Sequence, residues 1–341
     1  MQHEITREIP LLDEKGNLTE AGYARKLLPI YSRKAVKASP MRIKEWDYYL
    51  VSNGRYAMAL TIADNGYMGL DSISLLDFEN NINITQSPMS FMPLGRVKLP
   101  ESSRCGDTEH SGKGYGLSFK NDGGGRRVLT AHMDAFGPEG AFVSSVELFD
   151  EPEESMVICT PFDKPAHFYF NQKINCLRVR GEMKYGDRTY TFDSSDSFAV
   201  LDWGRGVWTY HNTWYWGSAS YHVGGVPFGW NIGCGFGDTS AASENMLFYN
   251  GRAHKLSQVT FNIPGDEKDF LSPWTFTSDD GRFEMDFVPQ MDRASCTDVR
   301  LIKSDQHQVF GRYSGKAVLD DGTAINVKDF PGFAEKVENK W

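Results

Sequence analysis

"EWDYYLVSNGRYAMALTIADNGYMGLDSISLLDF", residues 45–78, alternates apolar and polar side chains around two dipeptides, Asn53-Gly54 and Asn65-Gly66. A period of two is the mark of a strand with one buried face. Asn-Gly suits a tight hairpin turn because both residues tolerate positive φ. The stretch therefore reads as consecutive antiparallel strands. The same pattern recurs at 180–193, 245–261, 274–289 and 309–327, each around an NG, DG or similar turn. Turns at such short, regular intervals belong to antiparallel sandwiches and barrels. Only "LTEAGYARKLL" (18–28) and "GFAEKVENKW" (332–341) read as helical, and both are short. The expected fold is all-β and antiparallel, in two barrel- or sandwich-like halves with few short helices. The expected divisions are an N-terminal arm with a short helix over 1–40, a first β domain over 41–170 and a second over 171–341.

The composition agrees with a folded globular chain. Of 341 residues, 40% are apolar and 24% charged. A net charge of -9 repels phosphate backbones, so no nucleic-acid partner is expected. The densest basic cluster, Arg25–Lys44, lies in a Pro-punctuated arm and reads as a solvated or edge segment. The five Cys are scattered without a CxxC spacing, as suits free thiols in a reducing compartment. The opening MQHEITREIP carries charges throughout. No stretch approaches the ~18 apolar residues of a membrane helix. A cytoplasmic location without a transmembrane segment is the expectation. His167, His222 and His254 lack metal-ligand spacing, and no GxSxG, P-loop or GxGxxG precedes a helix. Neither a metal nor a cofactor is expected. The Gly-rich run Asn121–Arg127 reads as a hairpin loop.

"DWGRGVWTYHNTWYWGSAS" (202–220) concentrates the chain's bulk: five of its eight Trp lie between Trp203 and Trp230. Such a run is either a core or the wall of a pocket. Along a strand, Trp214 and Trp216 share one face and Tyr215 takes the other; Trp208 adds to the aromatic wall. An Asp against apolar rings has its charged form disfavoured, which makes Asp202 a candidate acid. The bland alternative is a turn contact between Asp202 and Arg205. His211 is a candidate base or a structural donor. "FGWNIGCGFGD" (228–238) sets Asn231 among glycines that permit close approach of a ligand or a second backbone. Glu244 and Asn245 stand at the next strand entrance. The candidate catalytic residues are thus Asp202, His211 and Glu244; the candidate ligand-binding residues are Arg205, Trp208, Trp214, Trp216, Asn231 and Asn245.

"IPLLDEKGNLTEAGYARKLL" (9–28), "IKEWDYYLV" (43–51), the 201–220 run, "SENMLFYNGRAHKL" (243–256) and the closing "GFAEKVENKW" together resemble a bacterial and fungal family known only as a domain of unknown function. The Trp-Gly turn, the Trp-rich strand and the later NG or DG hairpin make the second half similar to the carotenoid 1,2-hydratase and hydroxyneurosporene synthase group. That resemblance implies two packed lipocalin-like (calycin) barrels and acid chemistry on a lipophilic small molecule: hydration, isomerisation or cyclisation. It transfers no catalytic residue. The alternatives are a non-catalytic carrier of such a ligand, and a carbohydrate-active enzyme using Asp202 and Glu244 across a Trp-lined cleft.

Overall fold

The computed structural model describes residues 2–264, 269–299 and 302–340. Among them are two large antiparallel sheets, of fourteen and nine strands, and a small parallel pair joining Ile9–Pro10 to Pro29–Ile30. The first sheet centres on Lys44–Ser52, Phe198–Val207 and Phe168–Tyr185. The second centres on His211–Val223 and Ala324–Lys340. Helical structure is limited to two 3-10 turns, Arg33–Ala35 and Pro40–Arg42.

Each sheet curls until its far ends meet through side chains. In the first, Gln86 Nε2 donates to the Phe136 carbonyl at 3.0 Å, and Asp71 receives His110 Nδ1 at 2.6 Å and the Tyr115 hydroxyl at 2.8 Å. In the second, Arg282 Nη1 donates to the Lys255 carbonyl at 2.8 Å. The fold is therefore all-β and antiparallel, with two barrel-like bodies. Leu60, Ile73, Leu129, Phe142 and Trp203 belong to the core of the first body. Trp230, Trp274, Phe287 and Tyr313 belong to that of the second. A third apolar layer, with Trp46, Trp208, Trp214, Trp216, Phe236 and Phe333, joins the two. Each large side chain sealed there contributes ~1.5–3 kcal/mol of burial.

Three sequence expectations are corrected. Residues 18–28 contain no helix: Gly22–Ala24 is a strand that pairs with Val157–Cys159. Residues 332–340 are the end of a central strand flanked on both sides by partners. Phe333, Glu335, Val337 and Asn339 are all buried there, a period of two that the charged Glu335 disguised as a helical polar face. Finally, Phe168–Tyr185 and Phe198–Val207 hydrogen-bond within the first sheet, and the second begins at His211. Sheet membership thus changes between Val207 and His211, not at residue 170. The segment before residue 170 carries the strand Met156–Pro161, which pairs with Phe168–Lys173.

Candidate functional site

The layer between the sheets is built from two facing rows of residues. Across the first sheet the register aligns Tyr48 with Asp202 and Asp202 with Lys173. Across the second it aligns Gly233 with Trp216, Trp216 with Glu335, Glu335 with Gln308 and Gln308 with Arg293. Because side chains alternate faces along a strand, aligned residues project to the same side. The rows meet. Lys173 Nζ lies 3.7 Å from the centroid of the Trp216 ring. The Tyr48 and Trp216 rings make an edge contact at 6.0 Å. Gln308 Nε2 donates to the Tyr48 hydroxyl at 3.3 Å and to Glu335 Oε2 at 3.1 Å.

Two glycines make this packing possible. A Cβ on Gly204 would stand 2.0 Å from the Trp46 ring, so the indole lies directly over that strand. A Cβ on Gly233 would stand 2.7 Å from the Glu244 carboxyl; the missing side chain is the space that Glu244 fills, next to Trp216.

Asp202 forms an ion pair with Lys173 at 2.8 Å and accepts from Asn171 Nδ2 at 2.6 Å. Glu335 accepts from Trp214 Nε1 at 3.1 Å as well as from Gln308. Among the described residues, neither Glu244 nor Glu335 has a cation within ion-pair distance. Burial lifts the Glu335 carboxyl from 4.5 to about 7; the Trp214 bond and the charges of Lys173 and Arg293 pull it down, while Asp202 pushes it up. Burial also raises Glu244, opposed by Lys173 and reinforced by Asp202. The Tyr48 phenol is pushed up to about 12 by burial, and that of Tyr169 well above its usual value for the same reason. Crowded carboxyl groups out of water keep a proton that a solvated one would lose. The arrangement can therefore present a neutral carboxylic acid at neutral pH, with an ion pair and aromatic faces beside it.

The residues singled out in the sequence divide between this cluster and other places. Asp202 and Glu244 lie in it. Trp214 and Trp216 share one face and donate into it, Trp214 to Glu335 and Trp216 to Asn231 Oδ1 at 2.7 Å. Asn231 in turn donates to the Glu244 carbonyl at 2.8 Å. Trp208 packs edgewise on Trp46 and Phe236 in the same aromatic layer. Arg205 does not reach the site. Three residues from Asp202 it projects from the opposite face of the strand, where it bonds Asp47 at 3.1 Å and lies over Trp203. The cation that holds Asp202 is Lys173 instead. His211 is exposed at the strand start, 3.4 Å from Glu338. Asn245 is buried as a clamp, accepting from the Gly233 N–H at 2.7 Å and donating to the Ser257 carbonyl at 2.9 Å.

Sequence reading missed Tyr48, Lys173, Gln308 and Glu335. A usable signal existed for Lys173: Asn171 and Lys173 are polar residues two apart in "FYFNQKINCL", where an all-buried strand gives such groups no place except a shared polar site.

A cleft continues from the cluster along the same interface. Its volume is ≈ 40 Å³, lined among others by Leu50, Val200, Ser218, Phe310 and Phe333. Each lies two residues from a member of the rows: Tyr48, Asp202, Trp216, Gln308 and Glu335. Five strands thus each give one residue to the cluster and the next same-face residue to the cleft. The space suits water-sized groups. A roomy pocket walled by Trp214 and Trp216 is not what this cleft is: Trp216 is packed against Phe333 at 4.7 Å, and neither indole lines it.

Two barrel-like antiparallel sheets closing on a buried acidic and aromatic layer define the class of this molecule. The chain belongs to the family described as "Domain of unknown function (DUF2804)", which matches residues 2–341. No curated protein matches it. Among solved structures it is similar to an AttH-type protein from Nitrosomonas europaea, with 12% identity, a TM-score of 0.53, and 91% of this chain and 96% of that one covered. That likeness is one of fold. Kievitone hydratase from Nectria haematococca (10% identity, TM-score 0.48, 98% of each chain) and CghA (10%, 0.46, 98% and 97%) align more loosely.

Proposed function

We propose that the layer between the sheets is an active site that adds or removes a proton on an unsaturated small molecule, as in hydration, isomerisation or cyclisation. One observation carries this reading: Glu335, a buried carboxyl with a pKa of about 7, sits one residue-pair step from a cleft that admits a water-sized group. A general acid works best with a pKa near the operating pH. In this reading Glu335 gives its proton to a carbon–carbon double bond at the cleft. The rings of Phe310 and Phe333, which line the cleft, stabilise the resulting cation by roughly 0.5–2 kcal/mol each. The cation is discharged by water, whose proton passes to Glu244, or by return of a neighbouring proton to the Glu335 carboxylate. Asp202 holds Lys173 in place and keeps the site from collapsing on an unpaired charge.

Native mass spectrometry of the purified chain, followed by identification of any bound small molecule, tests the proposal. The expected result is an unsaturated compound that wild type converts and that Glu335→Gln binds but leaves unchanged. Release of the compound unaltered by wild type would make the protein a carrier and remove the catalytic assignment.

A further inference from the structure

The surface carries a second feature, at the edge of that layer, where Arg42 Nη2 donates to the Trp208 carbonyl at 2.8 Å. Residues 29–44 and 88–100 hold seven Lys or Arg (Arg33, Lys34, Lys37, Arg42, Lys44, Arg96 and Lys98) and no Asp or Glu, in a chain of net charge -9. The structure brings the two segments together over one hairpin. The Pro40–Arg42 turn packs on Gly66, where a Cβ would meet the Pro40 carbonyl at 2.5 Å. From the other segment, Leu94 N–H donates to the Gly66 carbonyl at 3.1 Å and Met92 N–H to that of Tyr67 at 2.9 Å. Phe91 pairs with Met68, and Gly95 lies against the Arg33 guanidinium.

Within this patch Arg33 is neutralised by Glu45, Lys44 is buried, and the bordering Glu101 is bound to the Arg33 amide. Among the described residues, no carboxylate stands within ion-pair distance of Lys34, Lys37, Arg42, Arg96 or Lys98. By contrast, exposed cations elsewhere are often paired, as Arg252 and Lys120 are. Large apolar side chains stand out of this basic ground: Phe91 is 87% exposed, Met89 68% and Met41 45%. Met89 and Phe91 lie on one face of the three-residue strand Met89–Phe91. Exposed apolar groups rimmed by one sign of charge mark an interaction surface.

We propose that this face docks on an anionic lipid bilayer, with Phe91 and Met89 entering the boundary between headgroups and acyl chains and the exposed cations Lys34, Lys37, Arg96 and Lys98 meeting the headgroups. Unpaired cations answer a negative surface, and separate protruding apolar side chains suit a deformable partner better than a flat protein patch. The inference is independent of the chemistry between the sheets.

Vesicle flotation tests it, with phosphatidylcholine alone and with phosphatidylcholine mixed with phosphatidylserine. The chain is expected to float only with the mixed vesicles and to be released at high salt. Met89→Ser with Phe91→Ser, and separately Lys34→Glu with Lys37→Glu, should each lower binding at least tenfold while melting as wild type does. Failure to float with the mixed vesicles at low salt would overturn the proposal. So would a serine variant that floats as well as wild type, since Met89 and Phe91 would then take no part and the patch would be a site for polyanions such as an acidic protein.

Discussion

Replacing Glu335 with Gln should make the protein more stable at pH 8 without changing it much at pH 4.5. An unfolded chain titrates this carboxyl near 4.5, whereas burial holds it at about 7 in the folded state. Below pH 4.5 the group is protonated in both states and burial of the neutral acid costs little. As pH rises from 4.5 to 7 the unfolded state releases the proton and the folded state retains it, so wild type loses stability across that window. Above 7 the loss is complete. At about 1.4 kcal/mol per pH unit, the gap amounts to ~3 kcal/mol. Glutamine has no proton to lose; its carbonyl oxygen can still accept from Trp214 Nε1, which donates to the carboxylate at 3.1 Å, while the Gln308 amide, which donates to Oε2 at 3.1 Å, must turn to offer its oxygen to the new NH2. Urea unfolding followed by tryptophan fluorescence, run on both proteins from pH 4.5 to 8.5, reads the difference. It should grow in favour of Glu335→Gln by ~3 kcal/mol up to about pH 7 and then level off. A difference that stays constant across the range would refute the elevated pKa and, with it, the acid assigned to the site.

Asp202→Asn should cost about 3–5 kcal/mol by stranding the buried Lys173 ammonium, whereas adding Lys173→Met should recover part of the loss in a thermal melt; full stability of the single variant would show that the pair is not buried as described. Gly204→Ala should cost ~1–3 kcal/mol of overpacking, because its methyl would press into the Trp46 ring, and urea midpoints measure this directly. Trp216→Phe should cost ~1–3 kcal/mol through loss of the indole N–H bond to Asn231 and a weaker cation–π contact with Lys173. The same variant with Asn231→Leu should lose less than the sum of the two single changes, which a double-mutant cycle detects.

Part of the candidate site was legible because Trp and Gly leave strong local marks. Trp214 and Trp216, two apart, had to share a face once their segment was a strand, and the glycines after Trp230 announced a close approach. Arg205 was misjudged for the converse reason. Proximity to Asp202 in sequence suggested a pair, yet an odd spacing of three sends two strand residues to opposite faces. Glu335 was hidden because a buried carboxyl looks, in one dimension, like any surface glutamate. Its burial depends on two neighbouring strands and a facing sheet, and one of those strands and the facing Lys173 lie over a hundred positions away.

The sequence by itself determined the secondary structure class, since alternation and Asn-Gly turns are local signals with a local cause: the pleat and the positive φ of the turn. It also determined that the bulky rings concentrate between Trp203 and Trp230. The tertiary structure alone decided which polar residues meet. Register across each sheet aligns Tyr48, Asp202 and Lys173 in one row and Trp216, Glu335 and Gln308 in the other. The packing of the two sheets then brings the rows together. That meeting strips water from the carboxyl groups, and it is this loss of solvent, not their identity in the chain, that sets the chemistry available to them.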